Sequence, residues 1–447
     1  MKKILSLTLV LAAACAVTSC VQEEDLIFDK TAAERLNEAS SLYSSRLMAS
    51  PNGWAMQLYP TNQNEYPYGN GYLLLCRFNK DHSVNVSMDN VFSDNKYKED
   101  TSLWEIITDN GPVLTFNSHN SCLHAFCDPE DIFFTGNADE SNDETGKGCQ
   151  GDYEFIIVDA PEDASYMMLK GKKRGTYNLL TPIEQGVEYA DYLADVKTFQ
   201  NSMFPANAPT FNVMHFGDSI YKMTGANDGI PNIFPYNGDE IIDQSFNAFL
   251  ITKRGNDYYL RFRDQITITE EEKVQDFRYN ASSDVFESVD NTNYYIDGDE
   301  PARFFEESLS VNERAWIWNA SSEMSDKYAE LMNTLKTELG KSTLQQIRLQ
   351  KVEDKFKLRV TYRSRTTTTL VFSYTGGFNG GVLNLTYEGC DTPSGEAILN
   401  QVPSLRTLLN LLTGGLNISA GTTKFNLNTI KLTSNSDSGM WFVTNLL

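Results

Sequence analysis

The chain has 447 residues, with 60 Asp plus Glu against 37 Lys plus Arg, a formal charge of −23, four His and seven Cys. That length exceeds what one hydrophobic core organises and predicts two domains. The charge has the wrong sign for coating DNA or RNA, because phosphate neutralisation requires clustered Lys and Arg, so nucleic acid is excluded as a partner.

Lys2 and Lys3 precede an apolar run from Ile4 to Val17, which suits a signal peptide's hydrophobic region and falls short of a bilayer span. The run ends in Val17-Thr18-Ser19-Cys20, which resembles a bacterial lipobox. A thiol is required there because sulfur is the side-chain nucleophile soft enough to form the lipid thioether. Residues 1–19 are therefore expected to be a lipoprotein signal peptide and Cys20 the site of lipid attachment. Residues 20–30 read as an acidic tether, and Val21-Gln22-Glu23-Glu24-Asp25 looks like the export signal of Bacteroidota lipoproteins displayed on the outer face of the outer membrane. The expected location is the outer membrane, lipid-anchored and facing the exterior.

Thr31 with Glu34 forms a capping box before a helix over about 32–49, halted by Ser50-Pro51-Asn52-Gly53. From Trp54 to Leu180 the pattern is short and alternating. It predicts seven or eight antiparallel strands, including one over Cys122 to Cys127, closing as a barrel or a sandwich. Thr181-Pro182-Ile183-Glu184 reads as a second capping box opening a helix that ends the first domain, 31–203. The Pro- and Gly-rich stretch 204–240 is expected to be a linker. The second β domain, 241–447, carries a helix over 323–339, a hairpin of Phe356 to Tyr362 with Thr367 to Tyr374, a short helix over Leu405 to Leu412, and strands that include Lys424 to Leu427. The fold class is thus mainly β with a few helices, in two antiparallel β domains of barrel or sandwich type, the first lipocalin-like if it closes.

Phe216-Gly217-Asp218-Ser219-Ile220 and Gly225-Ala226-Asn227-Asp228 resemble two blocks of GDSL-type esterases, but no His follows His215 to serve as base. Asp218-Ser219-Ile220 also resembles the O-glycosylation acceptor of these bacteria. His119, Cys122, His124 and Cys127 have the chemistry of zinc ligands, yet strand parity splits them between two faces, so no metal site and no cofactor is expected. Asp139 to Gly146 and Asp297-Gly298-Asp299-Glu300 are acid-rich segments that lack the calcium-loop pattern. Lys170, Lys172 and Arg174, placed on one face by strand alternation, are candidates for holding an anion, with His124 and Trp104 as further candidate ligand-binding residues. No catalytic set is complete, and the pairing of Cys76, Cys122, Cys127, Cys149 and Cys390 stays open.

Pro51-Asn52-Gly53-Trp54, Gly71-Tyr72, Gly111 to Phe116, Leu123 to Pro129, Gly151 to Phe155 and Leu169 to Arg174 together resemble a Bacteroidota lipoprotein family, the domain of unknown function 4302. The resemblance implies a surface lipoprotein. By analogy it implies service to an outer-membrane nutrient importer of the TonB-dependent kind, with a small ligand, glycan or peptide bound. Two other readings stay open, a lipocalin-like carrier of an apolar ligand and a hydrolase using a carboxylate pair.

Overall fold

A computed structural model describes residues 30–62, 69–109, 111–128, 149–206, 210–237, 248–311 and 314–447. The expected signal peptide, Cys20, most of the expected tether and the acidic segment Asp139 to Gly146 lie outside them. The capping box forms as read. Thr31 Oγ1 accepts the Glu34 N–H at 3.3 Å, Glu34 Oε2 accepts the Thr31 N–H at 2.9 Å, and helix α1 runs Ala32–Leu47. Its last residue, Leu47, is buried in the first core and its carbonyl accepts Trp54 Nε1–H at 2.7 Å.

The first unit has strands β1 to β9: Trp54–Leu58, Tyr72–Phe78, Ser83–Met88, Lys98–Leu103, Glu105–Asp109, Gly111–Thr115, Glu154–Asp159, Met167–Gly171 and Tyr177–Pro182. They pair antiparallel in the order β4-β3-β2-β1-β9-β8-β7-β6-β5. The two ends of that order, β4 and β5, are consecutive in the chain with Trp104 alone between them. The ring is therefore an up-and-down barrel of eight staves, one of which passes from β3 to β6 at Trp104. Alternate side chains point inward and fill it: Trp54, Met56, Leu74, Val84, Val86, Leu114, Phe155 and Leu180 are fully buried or nearly so.

The second unit begins with helix α2, Tyr189–Met203. Strands β10 to β17 follow: Asn212–Phe216, Ser219–Thr224, Asn232–Pro235, Phe249–Arg254, Asp257–Thr267, Lys273–Asn280, Val285–Ser288 and Tyr294–Asp297. They form one antiparallel sheet, β12-β11-β10-β17-β16-β15-β14-β13. Three readings need correction here. The stretch 204–240 is no linker, since β10, β11 and β12 lie in it and β10 pairs with β17. Pro231 precedes β12 and Pro235 is its last residue, positions at a strand's end where Pro is tolerated. Helix α2 does not close the first domain; Tyr192, Leu193, Val196 and Met203 join Ile251, Phe262 and Phe286 in the second core. Thr181-Pro182 is no helix start, because Thr181 and Pro182 pair with Ala55 and Trp54 at the end of β9.

The third unit contains helices α3 (Pro301–Ser310), α4 (Asp326–Glu338), α5 (Pro393–Gln401) and α6 (Pro403–Thr413). Its strands β18 to β25 run Trp316–Trp318, Thr343–Val352, Lys355–Arg363, Thr367–Asn379, Val382–Cys390, Leu416–Ala420, Thr429–Ser434 and Trp441–Leu446 and close into a barrel in chain order. The chain is mainly β and antiparallel, as read, and among the described residues its strands form three sheets, where the sequence suggested two β domains. Lys424 to Leu427 is a loop between β23 and β24 rather than a strand, and it reaches the second unit.

Candidate functional site

The fold separates the predicted basic cluster. Strand β8 ends at Gly171, so alternation stops at Lys170, and Lys172 to Arg174 form a turn. Lys170 Nζ lies 5.3 Å from the centre of the Tyr177 ring. Lys172 Nζ sits 3.0 Å from both Glu154 Oε2 and Asp109 Oδ2, and hydrogen bonds to those two carboxylates raise its pKa. Arg174 Nε donates to the Gln150 carbonyl at 2.8 Å. The buried Asp152 carboxylate accepts the N–H groups of Lys173 at 3.0 Å and Arg174 at 2.8 Å. A Cβ at Gly171 would lie 2.3 Å from Asp152 Oδ2, so only glycine admits this approach. The chain's own acids thus occupy the anion positions.

Cys122 to Cys127 is not a strand. It is a turn followed by a short 3-10 segment, His124–Phe126, because Asn120 Oδ1 captures the N–H groups of Cys122 and Leu123 at 3.0 and 3.1 Å. His124 Nδ1 accepts the Asn120 N–H at 3.1 Å, and its ring lies between those of His119 (5.3 Å) and Tyr153 (5.5 Å). Burial, then the neighbouring His119, push the His124 pKa down. Cys122 and Cys127 turn to the carbonyls of Lys98 and Leu123, and burial pushes their thiols up to about 11 and about 12. Among the described residues no three potential metal ligands converge. Trp104 is 1% exposed and packs edge-on to Phe78 at 5.2 Å. It is a core residue at the seam of the first barrel and offers no exposed face to a ligand.

Ser219 is paired across from Phe216 at the tip of the β10–β11 hairpin, and His215 stacks on Tyr295 at 4.4 Å, so the esterase-like blocks form a turn. Asp297 to Glu300 is a junction: Lys424 pairs with Asp297, while Arg303 and Thr210 bind the buried Asp299.

A cleft of about 230 Å³ opens where the first barrel, α2 and the second sheet meet. Its apolar floor includes Leu193, Val196, Leu250 and Ile251. Its rim is rich in carboxamides: Asn70, Asn90, Asn95, Gln200, Asn201 and Asn227. Asn90 caps a 3-10 turn, Val91–Ser93, by accepting the Phe92 N–H at 2.9 Å on Oδ1. Its Nδ2 and the Asn70 Oδ1 are both buried and have no hydrogen-bond partner among the described residues. Lys197 on α2 crosses to the barrel, donating to Asp89 Oδ1 at 2.7 Å and the Asn95 carbonyl at 3.3 Å. Gly229, at φ 76°, lets the second unit close on Asn70; a Cβ there would meet Asn70 Oδ1 at 2.4 Å. Sequence reading missed this site because its residues come from five separate segments, none with a motif of its own.

The family model for the domain of unknown function DUF4302 matches residues 24–281, more than half of the chain. No curated protein matches. Among solved structures, the search returns the DNA polymerase III β-subunit sliding clamp of Pseudomonas aeruginosa bound to griselimycin, at 8% identity and a TM-score of 0.14, covering 92% of this chain and 97% of that one. The DNA polymerase β subunit of Streptococcus pyogenes is 9% identical with a TM-score of 0.12, covering 91% and 97%. Scores of that size mark no shared fold.

Proposed function

Since the chain belongs to the DUF4302 family, a domain of unknown function, we propose a function from the cleft and the leader: a lipid-anchored surface protein that binds a small, neutral, polyhydroxylated ligand for uptake. The observation that carries it is a pair of unpartnered polar atoms on two side chains that line the cleft, the acceptor Asn70 Oδ1 and the donor Nδ2 of Asn90. Buried polar groups are nearly always paired, and each orphan costs about 1–3 kcal/mol, which a ligand bearing both a donor and an acceptor recovers. Carboxamides over an apolar floor suit a sugar, whose ring has hydroxyl edges and apolar faces. The volume holds roughly eight waters at bulk density, room for one sugar ring. Asp89 is the one acid among the described lining residues and is tied to Lys197, which favours binding over carboxylate-pair hydrolysis. The first barrel's interior is packed with side chains, so nothing there favours the carrier reading. Lipidation of Cys20, exterior display and partnership with a TonB-dependent importer belong to the same proposal and rest on the sequence.

The test is a thermal-shift screen of residues 20–447 with glucose, galactose, N-acetylglucosamine and dialanine, followed by titration of Asn70→Ala and Asn201→Trp. Asn70→Ala removes an acceptor that has no partner, so folding stability should hold within about 1 kcal/mol while affinity for the ligand falls roughly 3- to 10-fold. Asn201→Trp blocks the exposed rim and should abolish binding. A screen with no shift, or a ligand held equally by both variants, overturns the cleft.

A further inference from the structure

Residues 341–371 carry eight Lys and Arg against two acids, in a chain whose formal charge is −23. The segment is the β19-β20-β21 part of the closed barrel, and its inward side chains are fixed: Ile347, Leu349, Leu358, Val360 and Leu370 are at most 2% exposed. Period-two alternation therefore turns Arg348, Lys357, Arg359, Thr361, Arg363, Thr367 and Thr369 to the outer face. Arg348 stands directly opposite Arg359 in the register, and Arg363 stands between Thr343 and Thr367. The two acids, Glu353 and Asp354, lie in the turn at the far end of the β19–β20 hairpin. Lys357 is neutralised by Asp391 at 2.7 Å and Lys355 by Glu388 at 2.7 Å. Toward the other end, Arg359 stays half-buried beside Thr361 and Thr369, whose hydroxyls lie 3.0 Å apart, and Arg363, Arg365 and Lys341 are exposed.

We propose that this outer face of β19, β20 and β21 is a docking surface for a linear acidic polysaccharide bearing carboxylate or sulfate groups. Arg359 and Arg363 both point outward on β20, four residues and so about 14 Å apart, and Arg365 follows in the turn between β20 and β21, so the three cations lie at one end of this face. The threonines and glutamines between them offer hydroxyl and amide partners for sugar hydroxyls, and a guanidinium takes a carboxylate or sulfate with two parallel hydrogen bonds. The acidic remainder of the molecule does not prevent approach, because charges beyond about 8 Å are screened at physiological ionic strength. The outward positions across these strands hold no aromatic side chain to insert into a bilayer, which favours a polysaccharide over a lipid surface. This surface lies in the third unit, away from the residues of the carboxamide cleft, and stands independently of it.

The experiment uses residues 20–447 and the triple variant Arg359→Gln, Arg363→Gln, Arg365→Gln, titrated with polygalacturonate, chondroitin sulfate, uncharged dextran and phosphatidylglycerol vesicles at 50 and 200 mM NaCl. The expected result is binding of the two acidic polysaccharides, at least tenfold weaker at the higher salt and at least tenfold weaker in the variant, with no binding of dextran. The variant's thermal midpoint should stay within a few degrees (~3 °C) of the native chain's, which separates lost docking from lost folding. Binding that the triple variant retains, binding of dextran alone, or binding of vesicles without either polysaccharide overturns the proposal. Asn70→Ala should leave polysaccharide binding intact, so failure at the cleft and failure at this face are read separately.

Discussion

The two oxygens of Asp152 hold the backbone N–H groups of Lys173 and Arg174 while the carboxylate itself is only 6% exposed. Charge-assisted bonds to backbone donors are about twice as strong as neutral ones, and both donors would be left without this partner if the carboxylate were removed. Asp152→Ala is therefore expected to cost about 2 kcal/mol, and Asp152→Asn nearly as much, because its NH₂ turns a donor toward a donor. Urea unfolding checks this, and an unchanged midpoint in both variants would show the turn to be self-supporting. The same residue marks the reach of the sequence. Thr31 and Glu34 were legible as a capping box because both partners fall within one helical turn of chain. Asp152 meets its donors 21 and 22 residues later, and nothing in Lys170 to Arg174 reveals that the strand stops at Gly171. The parity that put three cations on one face therefore failed at the strand's end.

At the scale of an element, the loop between β23 and β24 joins two units. Phe425 is 1% exposed within the second core, 5.3 Å from the ring of Phe286 and 5.8 Å from that of Phe204, whereas Leu427 is buried in the core of the closed barrel. Asp284 fixes the loop by accepting Thr423 Oγ1–H at 2.8 Å and the Lys424 N–H at 2.7 Å, and the Lys424 carbonyl accepts the Asp299 N–H at 3.1 Å. Deleting a buried phenyl ring costs about 3–5 kcal/mol through lost transfer and the cavity left behind. Phe425→Ala should thus loosen the second unit and the loop while sparing the first barrel. Hydrogen exchange is the measurement: amides of β10 to β17 should lose protection and those of β1 to β9 should not, and uniform loss throughout would argue against a local junction. Alternation made Lys424 to Leu427 look like a strand, and the alternation is real, but its two apolar residues face two different cores. The helix read at 323–339 was accurate to within a few residues, since Ser325 caps it and a full apolar stripe buries Tyr328, Met332 and Leu335. Strands β10 to β12 were hidden because Pro, Gly and Asn at their turns gave the stretch a linker's composition.

Across the whole molecule, the first and second units meet at the cleft and the third joins the second through Phe425, and neither meeting is local in sequence. Many strands are written in alternation, but which sheets are separate depends on long-range pairing such as β10 with β17, which no window of sequence contains. The opposite holds for the proposed anchor, whose sequence signals all lie within residues 1–25. Among the described residues no helix is long and apolar enough to cross a membrane, and the proposed attachment is the lipid on Cys20. One acyl chain holds a protein to a bilayer marginally and two or more hold it firmly. Cys20→Ala should accordingly keep its leader, because the lipoprotein pathway cleaves only after the thioether has formed, while the native chain should begin at Cys20 with its mass raised by fatty acids. Intact-mass analysis of the membrane fraction reads both outcomes at once. A native chain that retains residues 1–19, or that begins at residue 20 without added lipid, would remove the surface location. The cleft and the basic barrel face would then have to be explained for a protein that meets its ligands free in solution.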